Sequence, residues 1–217
     1  MSGHPTHTGP RVFISYRTAD TGDVAESTAG LLRDDLGGRH VFRDKDDLVA
    51  GQPWRPALVE AVDAADAVVV LVGSGWLGEG ADGRRMDAED DPVRQEVERA
   101  LSGPQGRAVI PVLVDGAPRP GPPPECLARL AAMHAVAARR TELVDRESSA
   151  YQQVLVGIWS GLRARVAESV LVLADDTPLA QARLDELLAR MAGSDVGEVV
   201  EISRFASGAA LVTVRSA

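Results

Sequence analysis

The sequence is poor in several things, and each scarcity excludes something. A single cysteine, Cys126, rules out a disulfide within the chain and fits a reducing, cytoplasmic setting. Aromatic residues make up only 4% of the chain, so Val, Leu and Ala must fill the core. Basic residues are outnumbered 23 to 32 by acidic ones, giving a formal net charge of -9. That balance disfavours binding to nucleic acid or to anionic membranes, which needs clustered Lys and Arg. No apolar run approaches the ~20 residues of a membrane span, and the opening MSGHPTHTGP has no apolar signal-peptide core. Residues 1–10 read as a short disordered lead, with His4 and His7 as tail residues rather than metal ligands.

What is present is an alternation of strand-like and helix-like segments. RVFISY (Arg11–Tyr16) reads as a buried strand, and Asp23–Leu36 as an amphipathic helix stopped by Gly37-Gly38. A short strand (His40–Arg43), a charged loop (Asp44–Pro53) and a helix (Trp54–Ala64) follow. Ala67–Val72 is the most continuous apolar run, as expected of a central parallel strand covered on both faces. A long polar loop, Gly73–Asp91, leads into a helix at Pro92–Leu101, for which Asp91 is a cap and Pro92 suits the first position. Then come a strand at Ala108–Val114, a short helix at Cys126–Met133, a weak strand at His134–Ala138 and a long helix at Ala150–Val166.

Five strands alternating with helices predict an α/β domain with a flavodoxin-like five-stranded parallel sheet, order 2-1-3-4-5, and helices on both faces. Ligands in such sheets bind beyond the strand C-termini at the switch between strands one and three. Here that selects the loops Arg17–Gly22 and Gly73–Asp91. This domain is expected to occupy residues 11–166. Residues 167–217 change pattern and read as a small βαββ module: a strand at Val170–Leu173, a helix at Pro178–Met191, and strands at Val196–Ser203 and Ala209–Arg215. A unit of that size rarely folds alone, so it is expected to pack on the first domain, another copy or a partner.

Taken in order, VFISYRTAD, VFRDKDDLVAGQPW, AVVVLVGSGWL, DDPVRQEVERAL and AVIPVLVDGAPRP resemble the bacterial branch of the TIR (Toll/interleukin-1 receptor) domain family. The resemblance runs from Val12 to about Leu162; the last stretch, from about Ser169, lies outside it. TIR domains include homotypic assembly modules and enzymes that cleave NAD+ at its nicotinamide–ribose bond, releasing nicotinamide with ADP-ribose or a cyclised isomer. The resemblance implies such an NAD+ hydrolase, switched on by self-assembly into a homo-oligomer or filament and serving bacterial defence. The alternative is a non-catalytic assembly module that binds other TIR domains. No cofactor or metal is implied; NAD+ is the substrate.

The glutamate essential in the enzymes matches Glu96, in DDPVRQEVERAL. Val93, Val97, Ala100 and Leu101 form an apolar stripe, and at ~100° per residue Glu96 falls at its edge and Glu98 on the solvent side. The structural alternative is a boundary residue paired with Arg94 or Arg99. The resemblance places Ser15, Tyr16 and Arg17 against NAD+, with Arg17 facing a phosphate; an exposed loop arginine is the alternative. It also makes Ser74 and Trp76 a pocket wall, where Trp76 either stacks on a ring or is structural. Asp44, Lys45, Asp46, Asp47 and Gly51 fall in the family's assembly loop, unless they are simply solvated. Asp20 reads as a turn residue outside the site. Glu79, Asp82, Asp87 and Glu89 read as solvated carboxylates without the spacing of a calcium loop. Trp54 reads as a core anchor, Cys126 as a small core hydrophobe, and His134 as a strand residue.

Overall fold

The computed structural model describes residues 10–36, 41–43, 54–80, 83–103, 107–120, 124, 127–165, 169–172, 198–204 and 210–215. In chain order the elements of the larger unit are β1 (Val12–Ser15), α1 (Thr18–Leu36), β2 (Val41–Arg43), α2 (Trp54–Ala64), β3 (Ala67–Val72), β4 (Glu79–Gly80), β5 (Gly83–Arg84), α3 (Pro92–Ser102), β6 (Ala108–Val114), α4 (Ala128–Ala132), β7 (Val136–Ala138) and α5 (Ser149–Arg165). The main sheet runs β2-β1-β3-β6-β7 and every pairing in it is parallel. Counting only its own strands, that is the 2-1-3-4-5 order of a flavodoxin-like fold.

Strand period divides the core into two layers, because successive side chains point to opposite faces. Val12 and Ile14 of β1, with Val69 and Leu71 of β3, pack under α1 and α5. Phe13, Val68 and Val70 face the other way, under α2 and α3. β3 is buried along its whole length, as its unbroken apolar run requires. On the first face, Tyr151 donates to Asp35 Oδ2 at 2.8 Å and Arg146 Nε to Asp35 Oδ1 at 2.7 Å, tying the end of α1 to the start of α5. Burial first, and then the bond to Asp35, push the Tyr151 phenol above its ordinary range, so it remains a donor.

Several boundaries differ from the sequence reading, for local reasons. α1 starts at Thr18 rather than Asp23, because Asp20 N and Thr21 N both donate to Arg17 O and build a first turn. A break at Thr21 (φ -127, ψ 23) then joins this turn to the periodic stretch. The loop Gly73–Asp91 is not purely irregular: β4 and β5 pair as a two-rung antiparallel hairpin, and a 3-10 turn at Arg85–Asp87 buries Met86. His134 precedes β7 and is exposed.

In the C-terminal module, β8 (Ser169–Val172), β9 (Glu198–Arg204) and β10 (Ala210–Arg215) form an antiparallel sheet in the order β8-β10-β9, with an irregularity at Thr213/Val214. The helix expected at Pro178–Met191 lies outside the described residues, as do Cys126 and nearly all of the N-terminal lead. No described helix is long and apolar enough to cross a membrane.

α5 packs tightly at Gly161. A Cβ there would sit 2.4 Å from Asp66 O and 2.9 Å from Ala108 Cβ. Alanine gains about 1 kcal/mol of helix propensity over glycine, but overpacking against backbone costs about 1–3 kcal/mol. Gly161→Ala is therefore expected to lower the thermal unfolding midpoint despite its better propensity. A raised midpoint would show that α5 can shift off the sheet at little cost.

Candidate active site

Ser15 ends β1 on the face that carries Phe13, so strand alternation points it at α3 instead of the α1 layer. Opposite it, α3 buries Val93, Glu96, Val97, Ala100 and Leu101. Glu96 thus closes the edge of the buried stripe and is itself only 2% exposed. Its carboxylate is held there by a hydrogen bond from Ser15 Oγ to Oε2 at 2.6 Å. Two polar residues occupy facing core positions, and the serine supplies a donor to one oxygen of the buried carboxylate. The pairings considered from sequence go elsewhere: Arg94 Nε binds Glu98 at 2.6 Å, and Arg99 pairs with Asp63. Glu98 is consequently half-buried rather than fully on the solvent side.

Arg17 is not the exposed loop arginine of the alternative reading. It is 7% exposed. Its Nη1 and Nη2 donate to Asp91 Oδ2 and Oδ1, both at 3.1 Å, and its Nε donates to Trp76 O at 2.7 Å. Asp91 caps α3 as expected, accepting from Arg94 N at 3.0 Å, with Pro92 in the first turn. Trp76 is 1% exposed and belongs to the core cluster that holds Phe13, Met86, Val93 and Val97. Its indole N–H has no acceptor among the described residues.

Asp20, left out of the site on sequence grounds, spans the switch point. Its Oδ2 accepts from Gly73 N at 3.0 Å and its Oδ1 from Gly75 N at 2.9 Å. The approach is close enough that a Cβ on Gly73 would lie 2.4 Å from Asp20 Oδ1. The legible signal was the run Gly73-Ser74-Gly75 after β3: two residues without Cβ leave their amides open to an acid arriving from the β1 loop.

Two cavities flank this junction. A cleft of about 590 Å³ at the strand ends is lined by Tyr16, Arg17, Asp20, Ser74, Glu79 and Arg85, among others. A groove of about 360 Å³ between α2 and α3 is lined by Arg55, Leu58, Val59, Val62, Glu96 and Arg99 with neighbouring α3 residues. The residues predicted from sequence therefore divide. Tyr16, Arg17 and Ser74 border the cleft, Glu96 borders the groove, and the Ser15–Glu96 bond lies in the protein between β1 and α3. Asp44, Lys45, Asp46, Asp47 and Gly51 lie outside the described residues, as does the side chain of Trp54. Glu79, Asp87 and Glu89 are exposed, and Asp87 is held below the usual carboxylate range by its hydrogen bond from Arg84. Among the described residues no group of three or more His, Cys, Asp or Glu is placed to hold a metal ion.

The model of the TIR domain family matches residues 12–155 of the 217. The chain belongs to the TIR domain family. Among solved structures it is similar to a prokaryotic SEFIR domain, at 16% identity and a TM-score of 0.48, over 69% of this chain and 99% of that one. It is also similar to the TIR domains of the activated Roq1 resistosome that recognises the pathogen effector XopQ, at 19% identity and a TM-score of 0.38, over 84% and 99%. A third likeness is to the Flv1 flavodiiron core from Synechocystis sp. PCC6803, at 13% identity and a TM-score of 0.39, over 75% and 38%. No curated protein matches the chain significantly.

In this TIR domain the Asp20 contacts bind the β1–α1 turn to the β3–α3 loop. Asp20→Ala leaves both glycine amides without that acceptor. The loss is expected to be about 1–2 kcal/mol in urea unfolding, at the lower end of the range for an unmade hydrogen bond, because water reaches the exposed Gly75 amide. Asp20→Asn keeps a carbonyl acceptor and is expected to lose less. Equal stability of Asp20→Ala and wild type would contradict the role.

Proposed function

We propose that this TIR domain cleaves the nicotinamide–ribose bond of NAD+, with Glu96 as the catalytic carboxylate. The observation that carries the reading is the buried bond from Ser15 Oγ to Glu96 Oε2, which aims one acid at the end of β1, beside the switch point. Breaking the C–N bond to the positively charged nicotinamide leaves an oxocarbenium-like ribose. An aligned carboxylate stabilises that cation and hydrogen-bonds the ribose hydroxyls, as carboxylates do in glycoside hydrolysis. Nicotinamide departs neutral, so the chemistry calls for neither a proton donor nor a metal, and NAD+ enters as substrate. Water, or an internal nucleophile of the ADP-ribose, then takes the C1′ position, giving the linear or the cyclised product.

The low exposure of Glu96 also has a consequence. At 2% exposed, the carboxylate is reached only if the wall of the α2–α3 groove opens or Glu96 turns outward. Activation by self-assembly supplies such a step, with the segment containing Asp44, Lys45, Asp46, Asp47 and Gly51 as the assembly element. The same burial favours a second reading, in which the domain assembles without cleaving NAD+.

Product analysis separates the two. Concentrated wild type, free and artificially oligomerised, is incubated with NAD+ and nicotinamide release is followed. Glu96→Gln is expected to lower the rate by about 100-fold or more, the size typical of losing a preorganised charge contact. If enforced oligomers of wild type and Glu96→Gln are equally inert, the cleavage reading fails and the assembly module stands.

A further inference from the structure

The end of β1 is joined to α3 at two places. Ser15 meets Glu96, and two residues later Arg17 meets Asp91. Two residues of extended chain span ~6.6 Å, and the five residues from Asp91 to Glu96 rise ~7.5 Å along a helix. The two contacts are thus spaced like matching rungs, so the placement of one constrains the other. Arg17 is itself held from outside the pair. Its Nε donates to Trp76 O, and Gly78 (φ +67) closes over the guanidinium, where a Cβ would lie 2.9 Å from Arg17 Cζ.

Stability does not explain this arrangement. A buried ion pair is commonly no better than apolar residues of the same volume, and its best-attested use is to fix register. Helix capping does not explain it either. Asp91 Oδ1 caps α3 through Arg94 N while both carboxylate oxygens also face the guanidinium. Serine or asparagine would cap as well, but only a carboxylate accepts the planar fork of an arginine in two parallel charge-assisted bonds.

We propose that Asp91, gripped by Arg17, is a positioning residue that fixes the first turn of α3 against the end of β1 and thereby aligns Glu96 with Ser15. Its catalytic consequence rests on the reading of Glu96 as the cleaving carboxylate; the alignment does not.

The test compares Asp91→Asn, Asp91→Ala and the double variant Arg17→Met/Asp91→Asn with wild type. Asp91→Asn keeps a helix cap and loses the paired fork. The double variant removes both charges together, so no buried charge is stranded if the single variant folds poorly. Two quantities are read: the pH titration of the Glu96 side-chain carboxyl carbon by NMR, and kcat and KM for NAD+ with enforced oligomers. The expected result is that both Asn-containing variants move the Glu96 titration midpoint by about half a pH unit or more. Their kcat should fall about 10- to 100-fold, the scale of a small misplacement at a reacting centre, with KM changed by less than about threefold. If wild type leaves NAD+ untouched but the midpoint moves, the alignment stands and the cleavage reading falls. If Asp91→Asn matches wild type in both quantities while Asp91→Ala is impaired, Asp91 is only a cap and the proposal is overturned. A lowered kcat with an unmoved Glu96 titration overturns it too, since Asp91 would then act elsewhere.

Discussion

A carboxylate in the core stripe of a helix is tolerated only where a donor meets it, since an unpartnered buried charge is far too costly to keep. Ser15 supplies that donor to Glu96, and the arrangement of the switch point depends on it. Strand alternation sends Ser15 to the α3 side, helix periodicity sends Glu96 to the β1 side, and the two meet in an interior otherwise built of Val, Leu, Ala and a few aromatics. Around this contact the other polar side chains are also committed. Arg17 goes to Asp91 and Trp76, and Asp20 to Gly73 and Gly75, so the segments after β1 and β3 are locked together by hydrogen bonds at one end of the sheet.

The outline of this domain was legible because it is written in local patterns. Apolar runs of strand length alternating with helical stripes gave the sheet order, and Asp91-Pro92 gave the start of α3 to the residue. The family motif singled out Glu96, and helix periodicity put it at the rim of the apolar stripe, where it lies, though buried more fully than a rim position alone implies. What sequence could not show were contacts between residues far apart in the chain. Arg17 and Asp91 are 74 positions apart, and nothing local to Arg17 distinguishes a buried, paired guanidinium from a solvated one. Asp20 shows the same limit: it sits in a turn as an acid after a strand often does, but its side-chain partners lie 53 and 55 positions away. The β4–β5 hairpin escaped because two-residue strands have no period to read.

The division into a cleft and a groove changes how the strand-end site is understood. Topology alone selected the loops Arg17–Gly22 and Gly73–Asp91 at the switch point. The cleft beside Asp20 takes Tyr16, Arg17 and Ser74, with Arg17 already neutralised by Asp91, while Glu96 borders the groove between α2 and α3. A carboxylate buried as Glu96 is suits the stabilisation of a developing cation, because charge interactions in the interior are screened far less than in water.

The central claim is therefore about place: the reacting ribose belongs against Glu96, at the α2–α3 side of the β1 end. A structure of the assembled protein bound to a non-cleavable NAD+ analogue tests it most directly. The account predicts the nicotinamide-bearing ribose in hydrogen-bond contact with the Glu96 carboxylate. An analogue lying wholly in the cleft by Asp20, with Glu96 still buried against Ser15 and touching nothing of the ligand, would contradict it.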